Sequence, residues 1–450
     1  MKFIFNDVGP VKSATIELGA LTVVCGENNT GKTYLTNCIY EFCRLLSKKI
    51  TVKSLEHIPD DTNVVKIDLE RYRSSVVEAV KSAAERYAKQ NNSLHGGRFS
   101  IEITPAELPI DFPVSPTIWR SRLHDGKFSV IKEGSELTIS KREHVRETIA
   151  QKNEDLKAQW HAVVNSVINN YLFKQGYTGG YFGDAFYMTS ERMGIAYFKD
   201  CLDIAMRATR VNDDVGSSDD ESLDGDSSKS TLFPESVYTQ LDIISWLGQR
   251  AKASNAPNKK FITDFDIDIE SLIGGTYNLA GGKIHFCPTG CKEKDMEPQE
   301  VSSSVRALFS LDMYIRNLAE RGDLLVIDEP EMNLHPNKQR KFARLIAKLV
   351  NAGVKVFLTT HSDYILREFN LLLQLNGKRK GLETIREKAG YAKSELLDAS
   401  CINAYVAKSV DGGVVFENAK ISQDRGIAID AIDSVINEMN QLQELITWGE

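Results

Sequence analysis

The sequence predicts an α/β fold: a head built on a sheet flanked by helices, with an N-terminal antiparallel sheet and a large, mainly helical insertion. Three observations predict it. The apolar strand LTVVCG (21–26) runs through a glycine-bearing loop into a helix. That helix carries Leu35, Cys38, Ile39, Phe42, Leu45 and Leu46 at the i, i+3/4, i+7 spacing of a buried face. Two further apolar runs, LLVID (324–328) and KVFLTT (355–360), read as buried strands that end in polar residues. Roughly 295 residues separate the first loop from the first of these strands, which leaves room for an inserted region.

The elements follow in order. Residues 1–50 form an N-terminal lobe of strands KFIFNDV, SATIEL and LTVVCG, turned at Gly9-Pro10 and Gly19, with a helix from Lys32. Residues 51–260 form the insertion. It begins with an amphipathic helix over Ile67–Lys89 and a Pro-rich stretch, Thr104–Pro116. A hairpin follows, WRSRL-HDG-KFSVI, turned by Asp125-Gly126. A long polar helix over Arg142–Leu172 carries Trp160, Val163, Val164, Val167 and Ile168 on one side, and another helix covers Val237–Ala253. Between them, 211–230 lacks apolar periodicity and reads as a disordered surface loop. Residues 261–375 form the C-terminal lobe. It holds a hairpin, GGTYNL-AGG-KIHFCP, a helix over Val305–Leu318 and the two buried strands. Residues 376–450 add a polar stretch, a hairpin, AYVAKSVDGGVVFENAKI, and a terminal helix, Ile427–Trp448.

At 450 residues, 42% hydrophobic and 26% charged, the chain has ample apolar content for a core. This excludes a mainly disordered, collagen-like or disulfide-stapled protein. No stretch of 18 apolar residues occurs and the start lacks a basic region before an apolar run, so no membrane span or signal peptide is expected. The seven cysteines (25, 38, 43, 201, 287, 291, 401) are odd in number, and several lie in core elements, which suits a reducing cytoplasm. Of the formal charge of −7, the segment 211–230 supplies −6, with seven acids against Lys229. The rest is near neutral, which argues against strong non-specific DNA binding and leaves a local basic patch open.

The chemistry is concentrated in three places. Gly26-Glu27-Asn28-Asn29-Thr30-Gly31-Lys32-Thr33 matches G-x-x-x-x-G-K-[ST] with a strand before it and a helix after it. Such glycines let backbone N–H groups curl around phosphates at a helix N-terminus. Lys32 can reach β- and γ-phosphates, and the Thr33 hydroxyl can ligate Mg²⁺. LLVIDEPE (324–331) ends a buried strand in Asp328 and Glu329, at the strand end where open α/β sheets bind ligands. There Asp328 would hold Mg²⁺ through water and Glu329 would polarise the attacking water. VKVFLTTHSD (354–363) ends the next strand in Thr359, Thr360, His361 and Ser362, which places His361 as a γ-phosphate sensor.

Taken in order, Gly26–Thr33, DEPEMNLHP (328–336) and LTTHS (358–362) resemble the ABC-type P-loop ATPases of the SMC-like branch. They are most similar to the ATPases of overcoming-lysogenization-defect nucleases and of the anti-phage systems PARIS and Septu. The resemblance implies an ABC-type P-loop ATPase head in which two protomers sandwich ATP and Mg²⁺. One side would supply Lys32, Thr33, Asp328, Glu329 and His361. The other would supply a signature motif and the loop Glu331–His335. It also implies a homodimer, with higher assembly open, and an anti-phage switch triggered by a phage protein and acting on a separate effector.

The chain departs from that pattern at the signature. Where a Ser-Gly-Gly-like motif is usual, it reads Val301-Ser302-Ser303-Ser304-Val305-Arg306. The three serines can still cap the following helix and offer donors to a partner's γ-phosphate, and turnover is expected to be slow. The usual glutamine before the insertion is not evident; FYMTSER (186–192) offers Glu191 or Arg192 as weak substitutes. His285, Cys287 and Cys291 suggest zinc only weakly, since no second pair accompanies them, and structural cysteines are the better reading. About 90 residues follow His361 without a metal-nuclease cluster, so the output is expected on another chain, a TOPRIM nuclease first and an HNH nuclease second. The alternative is an SMC/RecF-like DNA-repair ATPase that clamps nucleic acid. A transporter ATPase fits the long insertion and serine-only signature less well.

Overall fold

A computed structural model describes residues 1–48, 64–68, 73–95, 97–102, 119–123, 128–133, 136–141, 164, 185–192, 194, 259–280, 283–290, 296–297, 300–428 and 430–448. The Pro-rich stretch, the helix expected over 142–172 (Val164 apart), the acidic segment 211–230 and the helix expected over 237–253 lie outside the described residues.

In chain order the main strands are β1 (Lys2–Val8), β2 (Val11–Glu17), β3 (Leu21–Gly26), β4 (Val64–Asp68), β5 (Arg98–Glu102), β6 (Trp119–Leu123), β7 (Phe128–Glu133), β8 (Glu136–Lys141), β9 (Ala185–Met188), β10 (Gly275–Ala280), β11 (Lys283–Pro288), β12 (Leu324–Asp328), β13 (Lys355–Thr360), β14 (Ile402–Val410) and β15 (Gly413–Asn418). The helices are α1 (Lys32–Lys48), α2 (Arg73–His95), α3 (Lys259–Asp264), α4 (Glu270–Ile273), α5 (Ser303–Asn317), α6 (Pro336–Asn351), α7 (Asp363–Leu375), α8 (Leu382–Lys388) and α9 (Asp430–Trp448). The chain divides into two compact units.

The first unit comprises Met1–Glu17, Phe42–Ala185 and Glu320–Leu324. Alternation along β1 and β2 buries Phe3, Phe5, Ala14 and Ile16, and the antiparallel register pairs Phe3 with Ile16 and Phe5 with Ala14. On its other edge β1 pairs with β5, which sets Phe5 opposite Phe99. Phe42 of α1 and Tyr87 of α2 complete an aromatic cluster, with centroids 5.8 Å apart for Phe3–Phe42, 5.5 Å for Phe42–Tyr87 and 5.9 Å for Tyr87–Phe99. A second, antiparallel sheet has the order β4-β8-β7-β6 and contains the hairpin read from WRSRL-HDG-KFSVI. Its first strand corrects a sequence reading: Ile67 lies in β4, and the helix begins only at Arg73. The β-branched run Val64, Val65, Ile67 finds its partner in β8, with Val65 opposite Ile139 and Ile67 opposite Leu137.

The second unit comprises Leu18–Glu41, Phe186–Ala319 and Leu325–Glu450, and it contains every candidate site residue. Its sheet has the order β15-β14-β3-β13-β12-β9. Both neighbours of β3 run parallel to it, with Thr360 of β13 and Val406 of β14 opposite Cys25. β3, β12 and β13 are buried along nearly their whole length, which explains their unbroken apolar sequences. Leu308 and Phe309 of α5, Phe342 and Ile346 of α6, and Ile365 and Phe369 of α7 join these strands in one core. Each such side chain contributes about 1.5–3 kcal/mol of burial.

The hairpin AYVAKSVDGGVVFENAKI forms as β14 and β15, and β14 lies inside the sheet beside β3. Here the Cys25 thiol donates to the Tyr405 carbonyl at 3.3 Å. The terminal helix starts at Asp430, later than the sequence reading, because Ile427 is buried with its amide held by the Asn370 side chain at 2.7 Å.

Candidate active site

The phosphate loop lies between β3 and α1, as its sequence requires. Gly31 has φ +78° and Asn29 φ +63°, the left-handed turns that curl the backbone. Gly26 is needed for a second reason: a Cβ there would stand 2.8 Å from both the Cβ and the carbonyl oxygen of Ala407 in β14. Glu27, Asn28 and Asn29 are exposed, while Thr30 is buried and its hydroxyl donates to the Glu27 carbonyl at 2.8 Å. Lys32 is buried, and its ammonium donates to the carbonyls of Gly26 (3.0 Å) and Glu27 (2.7 Å). Burial pulls its pKa down, opposed by the carboxylates of Glu329, Asp328 and Glu331.

A hydrogen bond joins the acidic strand to the residue that follows Lys32. The Thr33 hydroxyl donates to Asp328 Oδ2 at 2.8 Å across 295 residues of sequence. The Thr359 hydroxyl donates to the other oxygen, Oδ1. Asp328 is fully buried, and burial pushes its carboxyl above the usual range, while the two hydroxyl donors pull it back. Hydroxyl and carboxylate are the hard-oxygen donors that Mg²⁺ takes, with phosphate and water completing six positions. Among the described residues no group of three or more His, Cys, Asp and Glu could hold a metal, and Cys291, the third residue of the zinc reading, lies outside them.

Glu329 follows Asp328 with φ +48°, a left-handed conformation unusual for a side-chain-bearing residue. Its amide donates to both the carbonyl (3.2 Å) and the hydroxyl (3.1 Å) of Thr359. His361 Nδ1 lies 3.8 Å from Glu329 Oε1 and 3.2 Å from Glu331 Oε1. The site therefore gathers Thr33, Asp328, Thr359, Glu329, Glu331 and His361 within one connected network.

Glu331 departs from the role the resemblance implied. It is buried, and its Oε1 accepts from the Thr360 hydroxyl (2.9 Å) and the His361 amide (2.7 Å) of the same chain. Through Oε1 it holds the histidine loop of its own chain. Gln339 was not read from the sequence at all. Its Nε2 donates to the Leu334 carbonyl (2.8 Å) and its Oε1 accepts from Ser362 (2.5 Å), joining the post-acidic loop to the cap of α7.

The serines stand apart. Ser302 is the N-cap of α5, accepting from the Val305 amide at 3.4 Å, whereas Ser303 and Ser304 already belong to the first turn. Ser302 and Ser304 hydroxyls lie 3.1 Å apart, and Ser304 accepts from the Lys338 ammonium at 3.3 Å. No hydrogen bond among the described residues joins these serines to the Asp328 network. Arg192 is not a nucleotide-facing substitute for glutamine. It is buried and spends its donors on backbone carbonyls, while Glu191 is exposed.

Residues 209–366 match the AAA ATPase domain family. The match is about a third of the chain, and it takes in the serines, the acidic strand and His361 but not the phosphate loop. With the phosphate loop bonded to the acidic strand, it supports a P-loop ATPase with an α/β fold. No curated protein matches the chain. Among solved structures the chain is similar to the SMC head domain from Thermotoga maritima, at 11% identity and a TM-score of 0.31, over 93% of this chain and 98% of that one. A second is an Smc head bound to the C-terminal winged-helix domain of ScpA, at 10% identity and a TM-score of 0.34, covering 94% and 98%. A third is the Smc head with an extended coiled coil bound to the C-terminal domain of ScpA from Pyrococcus furiosus, at 9% and 0.34, covering 98% of each. Likeness at these scores carries no weight for function. Among the described residues, no helix is long and apolar enough to cross a membrane.

Proposed function

We propose that this chain binds and slowly hydrolyses ATP, as the nucleotide switch of an anti-phage complex that controls a separate effector, a TOPRIM nuclease first. One observation carries the ATPase part: the Thr33–Asp328 hydrogen bond, which joins the two motifs at one point. Thr33 and Asp328 would hold Mg²⁺, which when bound shields the charge between β- and γ-phosphates. Backbone N–H groups of 26–33 and the Lys32 ammonium bind the phosphates. Glu329 orients a water and takes its proton as the water oxygen bonds to the γ-phosphorus and the bond to the β–γ bridging oxygen breaks. His361, held by Glu331, faces the γ-phosphate. Ser302, Ser303 and Ser304 close the site of a second copy in a homodimer, and the lack of glycines there accounts for slow turnover.

The anti-phage role rests on the likeness of DEPEMNLHP and LTTHS to the ATPases of such systems. A phage protein is the trigger in this reading, and the cytoplasm is the place. A second reading, a clamp on DNA, is favoured by the consecutive exposed cations Lys378, Arg379 and Lys380 after α7. Steeply salt-dependent, ATP-stimulated DNA affinity would select it. The test of the ATPase reading compares two variants. Lys32→Ala should lose nucleotide binding, and Glu329→Gln should bind ATP but turn it over at least about 100-fold more slowly. Wild-type turnover in Glu329→Gln would remove Glu329 as the base. Co-expression with the neighbouring gene product and phage challenge tests the switch; full protection by this chain alone, with no co-purifying partner, would sink it.

A further inference from the structure

Arg192 follows β9 and is only 2% exposed. Its guanidinium makes five hydrogen bonds, all to backbone carbonyls. Nε donates to Ala307 (3.0 Å), Nη1 to Thr189 (3.0 Å) and Asp328 (3.0 Å), and Nη2 to Glu329 (3.0 Å) and Pro330 (3.3 Å). A guanidinium has five N–H donors, so none is left over. No carboxylate is among the acceptors, although Glu331, Asp328 and Glu329 act on the charge through space. Burying a cation without a directly bonded acid is costly, which sets this arrangement apart from an ordinary structural ion pair.

The acceptors are unusual in what they join. Three are consecutive carbonyls of the turn that carries Glu329, and one belongs to α5, the helix capped by Ser302. Glu329 has φ +48°, a strained conformation for a side-chain-bearing residue that persists only where its surroundings hold it. Thr359 grips its amide and Arg192 grips its carbonyl, so both ends of the strained residue are fixed. We propose that Arg192 is the positioning residue for Glu329, locking the turn that aims its carboxylate and tying that turn to the serine-capped helix. A movement of the first turns of α5 then reaches Glu329 through a single side chain. Arg192 touches no substrate; it acts through Glu329. The kinetic part of the inference rests on the ATPase reading above.

The experiment compares wild type, Arg192→Lys and Arg192→Ala. Lysine keeps the charge but brings its donors from one nitrogen, which cannot span three segments. Binding of a fluorescent ATP analogue with Mg²⁺ should stay within about twofold, while kcat falls about 100-fold with KM little changed, the signature of a misplaced group. Millimolar guanidinium should restore part of the Arg192→Ala rate and none of the Glu329→Gln rate. Hydrogen exchange gives a readout independent of turnover. Backbone amides of Asp328, Glu329, Glu331 and Met332 should lose protection in Arg192→Lys, with those of α7 unchanged. If the wild type hydrolyses no ATP, the function proposed above fails, and the exchange measurement still decides this inference. Unchanged exchange at those amides overturns it, as does wild-type kcat in both variants or an equal loss of affinity and rate. Failure of Arg192→Lys to fold would assign the residue to stability alone and overturn it too.

Discussion

Replacing Thr359 by valine keeps the branched shape of a fully buried side chain and removes one hydroxyl. That hydroxyl donates to Asp328 Oδ1 and also accepts from the Glu329 amide at 3.1 Å. The amide keeps a second acceptor, the Thr359 carbonyl at 3.2 Å, and Asp328 Oδ2 keeps Thr33. The net loss is therefore one hydrogen bond to a buried carboxylate, worth about 1.5–3 kcal/mol. That corresponds to a fall of roughly 2.5–5 °C in the unfolding midpoint of a unit this large. The pH dependence separates this cause from a packing defect. Burial already raises the Asp328 carboxyl, and the Thr359 and Thr33 hydrogen bonds hold it down, so removing one lets it rise further. A carboxyl raised in the folded state favours the fold when protonated, and that contribution is lost as pH rises through its folded pKa. Thr359→Val should thus cost more at pH 8 than at pH 4.5, in thermal melts followed by circular dichroism. An equal loss at both values would refute the hydrogen-bond argument in favour of packing, and no loss at pH 8 would refute it outright.

Asp312, buried in α5 and paired with Arg316 at 2.7 Å, is pushed up to about 6 by burial, against an ordinary value of 3.8. Its folded pKa is raised, so wild-type stability should fall between about pH 4 and 6 relative to Asp312→Asn, by on the order of 3 kcal/mol in total. Melts of both proteins from pH 4 to 7 check this, and a constant gap would show that Asp312 does not titrate there. Gly26→Ala places a methyl 2.8 Å from Ala407 at φ +149°, so it should destabilise by about 1–3 kcal/mol and weaken nucleotide binding together. An alanine variant with wild-type melting and wild-type ATP affinity would show that the loop and β14 yield freely.

What was legible in the sequence was local. Gly26–Thr33 is a contiguous pattern flanked by a strand and a helix, and LLVIDEPE carries its acids at the end of its own strand. Both motifs read as contributing to one metal site, and the fold joins Thr33 and Asp328 by a hydrogen bond. The failures are non-local. Ile67 reads as the start of a helix because its apolar spacing suits either, and the partner that makes 64–68 a strand, Glu136–Lys141, lies some 70 residues on. Arg192 reads from the sequence as a weak substitute for the usual glutamine, yet its acceptors at Ala307 and Asp328 are 115 and 136 residues away. Glu331 and Gln339 sit beside recognisable motifs, but only the fold shows that they hold His361 and Ser362.

The central strand Ile402–Val410 has a consequence for how the protein comes into being. The phosphate-loop strand leaves the ribosome well before its two sheet neighbours, the strands at 355–360 and 402–410, and the thiol of Cys25 meets the carbonyl of Tyr405 across 380 residues. At about 5–20 residues per second, synthesis leaves that strand without its final neighbour for roughly 20–75 s. Its apolar side chains and open edges are exposed to wrong partners throughout that time. The nascent chain is therefore a natural client for chaperones, and the sheet around the phosphate loop cannot close until the strand 402–410 has been made. A prematurely terminated product that ended before Ile402 would lack the neighbour that Gly26 packs against. Such a fragment would not hold the phosphate loop in its folded geometry.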